Sequence, residues 1–252
     1  MYKTKVVSAI IPARDEEQCI GKVVTELFSV TDSAGQQVFD HVVVCDNAST
    51  DQTSKTAQAA GATAIWESTP GYGIACLSAL GAMPESDIIV FIDGDYSFHT
   101  EQSIQLIDEI FCGADLVIGS RAKGKTQAGA LTLPQQFGNW LATKLIKLLW
   151  QAPCSDLGPF RAISSSALDK INMEDKRFGW TVEMQVKAIQ LGMTIIEIPV
   201  DTRPRIGVSK ISGTVRGVIG AALGIFGTIF KLWARERIAK SNRRASTTNS
   251  NR

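Results

Sequence analysis

Five short apolar runs alternate with helical patterns in the first 120 residues, and this alternation limits the fold more than any other feature. The runs cover 6–11, 41–45, 62–66, 87–92 and 115–118. The helical patterns cover about 16–30, 51–60, 73–82 and 101–112. Each run is nearly continuous in apolar side chains, as in strands covered on both faces. Strands alternating with helices predict an α/β fold with a mostly parallel sheet. Right-handed crossovers then put every parallel strand's C-terminal end on one edge, where open α/β sheets bind ligands.

Polar residues crowd that predicted edge. The first strand runs into Pro12-Ala13-Arg14-Asp15-Glu16 and the second into Asp46-Asn47-Ala48-Ser49-Thr50-Asp51. The fourth runs into Asp93-Gly94-Asp95 and the fifth into Gly119-Ser120-Arg121. Two neighbouring carboxylates repel each other unless a cation lies between them, and hard oxygen ligands suit Mg2+ or Mn2+ held together with substrate phosphates. Asp93 and Asp95 are therefore the candidate metal ligands, set against a plain Asp-Gly-Asp turn. Asp46 can accept hydrogen bonds from a nucleobase, or it can shape a turn beside a helix capped by Asp51.

Gly71-Tyr72-Gly73 precedes a helix start, where backbone N–H groups can meet a diphosphate. It fits neither the P-loop nor the dinucleotide-binding pattern. Arg203, Arg205 and Lys210 form a basic cluster suited to phosphate, with Arg121 and Arg161 as further arginines at loop starts. Glu183 is a lone acid on the first turn of an apolar helix, either a general base or a helix-end charge.

Charge and cysteine usage narrow the class. Net charge is +1, which excludes a generally basic nucleic-acid binder. Residues 231–252 carry seven Lys/Arg and one Glu, whereas the rest of the chain holds 19 basic and 24 acidic side chains. The five cysteines are spread out without a CxxC, which favours a reducing compartment. With only His41 and His99, a histidine-based site is not expected. The N-terminal apolar run is too short for a signal peptide.

The second half is less regular. An amphipathic helix is expected over 134–150, with Phe137, Trp140, Leu141, Leu145, Leu148 and Leu149 near helical spacing. A loop over 155–161, a helix over 181–191 and a strand over 194–200 follow. Residues 217–230 are uncharged but too few to span a bilayer. They suit an interfacial anchor, with Trp233 at headgroup depth and Arg235, Arg237, Lys240, Arg243 and Arg244 against anionic lipid, or a helix packed on the domain. The expected organisation is a catalytic domain over 1–212, an apolar and basic segment over 213–240, and a disordered polar tail over 241–252.

Taken together, the segments at 11–16, 46–51, 93–95, 119–121 and 205–210 resemble glycosyltransferase family 2. Within it, the chain is most similar to the dolichyl-phosphate (polyprenyl-phosphate) mannosyltransferase branch. The resemblance spans about residues 5–215. It implies a GT-A fold, a GDP- or UDP-hexose donor, Mg2+ or Mn2+, a polyprenyl phosphate acceptor and inversion at the anomeric carbon. By the same resemblance, Pro12, Ala13, Asp15 and Glu16 line the nucleoside pocket and Asp46 holds the base. Asp93 and Gly94 adjoin ribose and metal, and Asp95 is the metal ligand. Arg121, Arg205, Ser209 and Lys210 handle donor diphosphate and acceptor phosphate. Asp156 and Arg161 bound the acceptor-side loop, with Arg203 beside it. The segment Asp95-Tyr96-Ser97-Phe98-His99 departs from the branch's usual pattern, in which Gln stands two residues after the second aspartate and is followed by His-Pro-Pro. The expected setting is the cytoplasmic face of a membrane, peripherally bound, without nucleic acid. If the acceptor is a hydroxyl, Glu183 is the candidate base. A nucleotidyltransferase, a family 2 enzyme with a sugar acceptor and a non-catalytic nucleotide-sugar or membrane-binding module are the alternatives.

Overall fold

The structure is a computed structural model that describes residues 1–207 and 215–250. In chain order the elements are β1 (Val7–Ala13), α1 (Ile20–Ser29), β2 (His41–Asn47), α2 (Thr53–Ala59), β3 (Thr63–Glu67), α3 (Tyr72–Ala82), β4 (Ile88–Phe91), α4 (Ser103–Phe111) and β5 (Leu116–Ser120). They continue with α5 (Leu133–Trp150), β6 (Arg161–Ser164), α6 (Ser165–Ile171), α7 (Trp180–Gln190), β7 (Ile195–Pro199) and α8 (Val215–Ser250). The strands form one sheet in the order β3-β2-β1-β4-β6-β5-β7. All neighbours are parallel except β6, which runs antiparallel to β4 and β5.

Strand alternation builds a core on each face of the sheet. Ile11, Val44 and Val90 pack on one side with Leu27 and Leu106. Their neighbours Ile10, Val43 and Ile89 pack on the other with Cys76, Trp180 and Met184. α1 buries Ile20, Val23, Val24 and Leu27, the i, i+3, i+4, i+7 face of a helix laid on the sheet. A third cluster joins three helices and the loop before β6: Ala142 and Ile146 of α5, Val182 and Val186 of α7, Ile229 and Leu232 of α8, and Leu157.

β6 and α6 occupy a stretch between the 155–161 loop and the 181–191 helix for which the sequence reading names no element; Arg161-Ala162-Ile163-Ser164 is only four residues long and opens on an arginine. Pairing on both sides, Phe91 with Arg161 and Arg161 with Ile118, overrides its weak local signal. The antiparallel direction has a consequence for the site. The first residue of β6, not its last, lies at the edge where the parallel strands end, so the 155–160 loop is delivered there.

α8 also departs from expectation. It is one helix, and its stretch Gly217–Asn242 is long and apolar enough to cross a membrane by length and composition. The helix continues over 241–250, where a disordered tail is expected from composition. One face is committed to the protein: Ile229 and Leu232 are buried, and Glu236 accepts hydrogen bonds from Trp150 Nε1 at 2.6 Å and Gln190 Nε2 at 2.9 Å. α5 starts on a capping box between Thr132 and Gln135 with proline in its first turn. Its buried residues are Ala142, Thr143 and Ile146, whereas Phe137, Trp140, Leu141 and Leu148 face outward. Phe137, Trp140, Leu141 and Leu148 thus lie away from the face that packs, where Leu145, Leu149 and Trp150 join Ile146.

The entrance to β6 is fixed by one ion pair. Asp156, fully buried, accepts from the backbone N–H of Arg121 at 2.7 Å, from its Nε at 2.9 Å and from its Nη2 at 2.7 Å. Burial raises the Asp156 carboxyl, but the charge and hydrogen bonds of Arg121 outweigh it and hold it below its ordinary value. Asp156→Ala leaves the arginine without its partner and should lower the unfolding free energy by about 3–5 kcal/mol in urea titrations. A depressed folded-state carboxyl contributes fully above its unfolded value and loses that contribution as pH falls through the folded value. Asp156→Asn should therefore shed less stability than the parent between about pH 5 and 3.

Candidate active site

Parallel topology brings the ends of β1, β2, β4, β5 and β7 to one edge, and β6 adds its beginning. The chain leaving β7 threads the site: Thr202 pairs with Phe98 and Thr126, and Ile206 N–H donates to the Asp95 carbonyl at 3.0 Å. Between these segments lies a cavity of about 220 Å3 whose walls include Asp93, Asp95, Arg121, Gln135, Thr202 and Arg205. Asp93, Asp95, Arg121 and Arg205, expected from sequence, are therefore together around one space.

The charges are balanced across it. Arg205 bridges Glu16 Oε1 and Asp95 Oδ2, the latter at 3.3 Å. Its Nε is buried without a partner. Asp95 also accepts from Ser97 N–H at 3.0 Å. Asp93 receives the hydroxyl of Tyr72 at 3.2 Å. Burial, followed by the neighbouring Asp95 charge, pushes the Asp93 carboxyl up to about 7. Burial raises Glu16 as well, against the opposing charge of Arg205. Tyr72 is not singled out by sequence as a side chain of the site, because its position between two glycines points to the backbone instead.

The residues fit a divalent cation. Asp93 and Asp95 are partly desolvated and mutually repulsive, and a cation between them relieves both penalties. Among the described residues no group of three His, Cys, Asp or Glu side chains could hold a metal ion. The pair is thus an open shell, of the kind completed by substrate phosphate and water.

The first two loops form the next wall. Asp15 N–H donates to Ser49 Oγ at 2.8 Å, and Asp15 Oδ1 accepts from Thr50 N–H at 2.7 Å. Glu16 N–H donates to Thr53 Oγ1 at 2.8 Å. Asp15, at φ +52°, turns the chain out of β1. Pro12 and Ala13 are the last strand residues before this turn, with Ala13 in register with Asp46. Gly94 has room for no side chain without crowding Ile20 and Ile11, whose methyls lie 3.1 and 3.2 Å from a Cβ built there.

Several expected ligands have structural duties. Asp46 is buried and accepts from Ser49 N–H at 3.0 Å, Ser54 N–H at 3.1 Å and Ser54 Oγ at 2.6 Å. Its carboxylate organises the turn and the start of α2. The N–H groups of Gly71 and Gly73 are taken by Asn47 Oδ1 at 2.7 Å and the Arg177 carbonyl at 3.0 Å. A Cβ at Gly73 would stand 2.1 Å from the Asp175 carbonyl oxygen. These glycines therefore admit a neighbouring backbone rather than present free donors to a diphosphate.

Arg203 stacks on the Tyr96 ring at 3.4 Å and donates to the carbonyls of Tyr96 and Phe98 at 2.7 and 3.1 Å. It holds the loop after Asp95. Arg161 is fully buried, donating to the Gly158 carbonyl at 2.7 and 2.9 Å and the Thr181 carbonyl at 2.8 Å. It ties the 155–160 loop to α7. Glu183 accepts from Glu174 and Asp175 N–H at 3.0 and 2.7 Å and pairs with Lys187 at 2.9 Å. The lone acid is thus a loop and helix-end anchor. Ser209 and Lys210 fall outside the described residues.

A second cavity, of about 540 Å3, adjoins the first through Arg121, Gly129, Leu131 and Gln135. Asn139, Trp140, Ser155 and Asp156 also line it. Gln135 and Trp140 lie on a segment whose helical period says nothing of which face meets the site, so sequence reading left them out.

Comparison with known proteins agrees with this geometry. Residues 8–171 match the model of glycosyl transferase family 2. An uncharacterized glycosyltransferase of Mycobacterium tuberculosis is 31% identical over 226 residues, covering 88% of this chain and 97% of that protein. A dolichyl-phosphate hexose transferase of Haloferax volcanii is 29% identical over 240 residues, covering 94% of this chain and 98% of that protein. In fold, the chain is similar to the crystal structure of glucosyl-3-phosphoglycerate synthase from Mycobacterium tuberculosis in complex with Mn2+, UDP and glucosyl-3-phosphoglycerate. That likeness has a TM-score of 0.73 at 21% identity, over 92% of this chain and 81% of the other. With its strand-edge carboxylates set in a GT-A sheet, the chain belongs to glycosyltransferase family 2 and is related to its polyprenyl-phosphate branch.

Proposed function

We propose that the protein is an inverting hexosyltransferase that moves a sugar from a GDP- or UDP-hexose to a polyprenyl phosphate, using Mg2+ or Mn2+. The observation that carries this reading is the cavity in which Asp93 and Asp95 face Arg121 and Arg205. An acceptor phosphate oxygen forms the new bond to the anomeric carbon. The bond to the nucleoside diphosphate breaks, and its electron pair leaves with the diphosphate.

When bound, the cation supplies positive charge against the diphosphate oxygens. Asp93 and Asp95 would hold it, with Tyr72 orienting Asp93 through its hydroxyl. Arg205 presents positive charge beside the same carboxylates, and electrostatic stabilisation of the departing anion is the term that lowers the barrier. The loops at 13–16 and 46–53, tied to each other, form the nucleoside wall. Asp46 acts there through the turn it organises. Ser209 and Lys210, four and five positions after Arg205 in sequence, are assigned to the phosphates by the family resemblance.

The commitments of the nearby acids favour a phosphate acceptor. Asp156 is committed to Arg121, and Glu183 to Lys187 and two backbone N–H groups. A hydroxyl acceptor needs a base, whereas a phosphate monoester arrives ionised near neutral pH. The similarity to a dolichyl-phosphate hexose transferase supports the same choice. A lipid acceptor places the protein at the cytoplasmic face of a membrane, in keeping with its free cysteines and basic helix.

A donor panel with a polyprenyl phosphate and either metal, read by mass spectrometry, should give one polyprenyl-phosphate hexose. Transfer to soluble hydroxyl acceptors with none to any lipid phosphate would overturn the acceptor assignment. Asp95→Asn should cut turnover by about 10²-fold or more while leaving the unfolding midpoint near that of the parent. Unimpaired turnover at saturating Mn2+ would remove Asp95 from the metal site. Arg205→Ala should weaken nucleoside diphosphate binding by about 1.5–3 kcal/mol in calorimetric titrations with Mn2+. Unchanged affinity would return Arg205 to a purely structural partner of Glu16.

A further inference from the structure

The cavity of about 220 Å3 at the strand ends has two kinds of wall. Asp93, Asp95, Arg121 and Arg205 carry charge and suit a cation with its diphosphate, whereas every other lining side chain is neutral. Two of the neutral ones have hydrogen-bonding capacity that the protein leaves unused.

The first is Gln135. The capping box at the start of α5 fixes its amide: Oε1 accepts from Thr132 N–H at 2.8 Å and from Thr132 Oγ1 at 3.0 Å. With the oxygen held by a backbone N–H, Nε2 keeps two N–H groups to donate. Among the described residues Nε2 has no hydrogen-bond partner. The second is Thr202. It is 2% exposed, and its Oγ1 is buried without a partner. Its backbone already holds the loop, with N–H to the Lys125 carbonyl and carbonyl to Gln127 N–H, both at 2.9 Å. A buried hydroxyl left unpaired is costly, and a ligand oxygen in the cavity removes that cost.

Position says which part of a substrate they meet. Gln135 lines this cavity and the neighbouring one of about 540 Å3, and with Arg121, Gly129 and Leu131 it marks the passage between them. In a transfer reaction the group that makes this passage is the sugar, which is uncharged and rich in hydroxyls. An amide N–H pair and a hydroxyl suit such a group, whereas phosphate draws on guanidinium and metal.

We propose that Gln135 Nε2 and Thr202 Oγ1 bind hydroxyl groups of the transferred hexose and set which hexose is accepted. The inference rests on the hexosyltransferase reading above and is independent of the acceptor. A site that hydrogen-bonds a substrate hydroxyl rejects an analogue that lacks it.

The test is calorimetric titration of the full chain, with Mn2+, by UDP-glucose, GDP-mannose, UDP and GDP. The readout is the ratio of affinity for a nucleotide sugar to affinity for its nucleotide, in which a charge effect common to both cancels. Gln135→Glu keeps the capping box but has no N–H to donate, and Gln135→Met loses the amide without adding charge. Both should lower the ratio about two- to tenfold, and so should Thr202→Val. Among monodeoxy-hexose analogues of the bound donor, one should bind the parent more weakly by a similar factor, with no further loss in Gln135→Met. A lowered ratio in only one Gln135 variant would trace to the cap or to charge and overturn the sugar contact. A parental ratio in Thr202→Val, with a raised unfolding midpoint, would overturn the contact from Thr202. Equal losses toward nucleotide and nucleotide sugar would place both residues at the diphosphate and overturn the proposal as well. A parent that binds neither donor overturns the hexosyltransferase reading together with this one. A parent that binds a donor, beside variants of parental ratio, overturns this proposal alone.

Discussion

Arg205 reaches Glu16 and Asp95 across the edge of the sheet, and the arrangement around it follows from that contact. Parallel strands gather their C-terminal ends, so carboxylates from β1 and β4 converge whether or not their charges favour it. Burial makes the convergence costlier: Asp93 and Glu16 are both raised, and the Cys19 thiol beside Glu16 is pushed up to about 12, chiefly by burial. A cation is needed, and the chain leaving β7 brings a guanidinium. The loop that carries Arg205 is in turn held by backbone pairing to the 95–98 and 125–127 segments and by Arg203 stacked on Tyr96. Electrostatic demand at the edge and the path of the chain after β7 are one problem with one solution.

The parts of the site that were legible in sequence are those whose placement depends only on strand direction. A polar residue immediately after a buried parallel run has to appear on the ligand edge, and Asp93, Asp95, Arg121 and Glu16 did. Residues whose role depends on what packs against them were not legible. Gly71 and Gly73 look like a phosphate-facing turn until the 175–177 backbone is set against them. Glu183 looks like a stray acid until the loop before α7 donates two N–H groups to it. Arg161 looks like an anion binder until β6 buries it among carbonyls.

β6 itself shows why. Its four residues have no period long enough to read, and it exists because β4 and β5 leave a gap that only an antiparallel segment closes. α5 illustrates the complementary difficulty. Its amphipathic spacing was plain, yet spacing does not say whether the apolar side faces the protein. Here Ala142 and Thr143 pack with Ile146, which lets the helices approach closely, while Phe137, Trp140, Leu141 and Leu148 remain outside.

The antiparallel strand also sets how this scaffold can vary. Because side chains alternate along β6, a one-residue slip between β4 and β5 would swap Arg161 with Ala162 and turn the guanidinium to the opposite face of the sheet. The loop before it is anchored at Ser155, Asp156, Leu157 and Gly158, which bond to Glu197, Arg121, Asn139 and Arg161. Insertions between Trp150 and Ser155 leave these anchors and the strand register untouched. Lineages, or engineers, seeking a different acceptor therefore have a segment whose length is free to change while the carboxylate edge stays fixed.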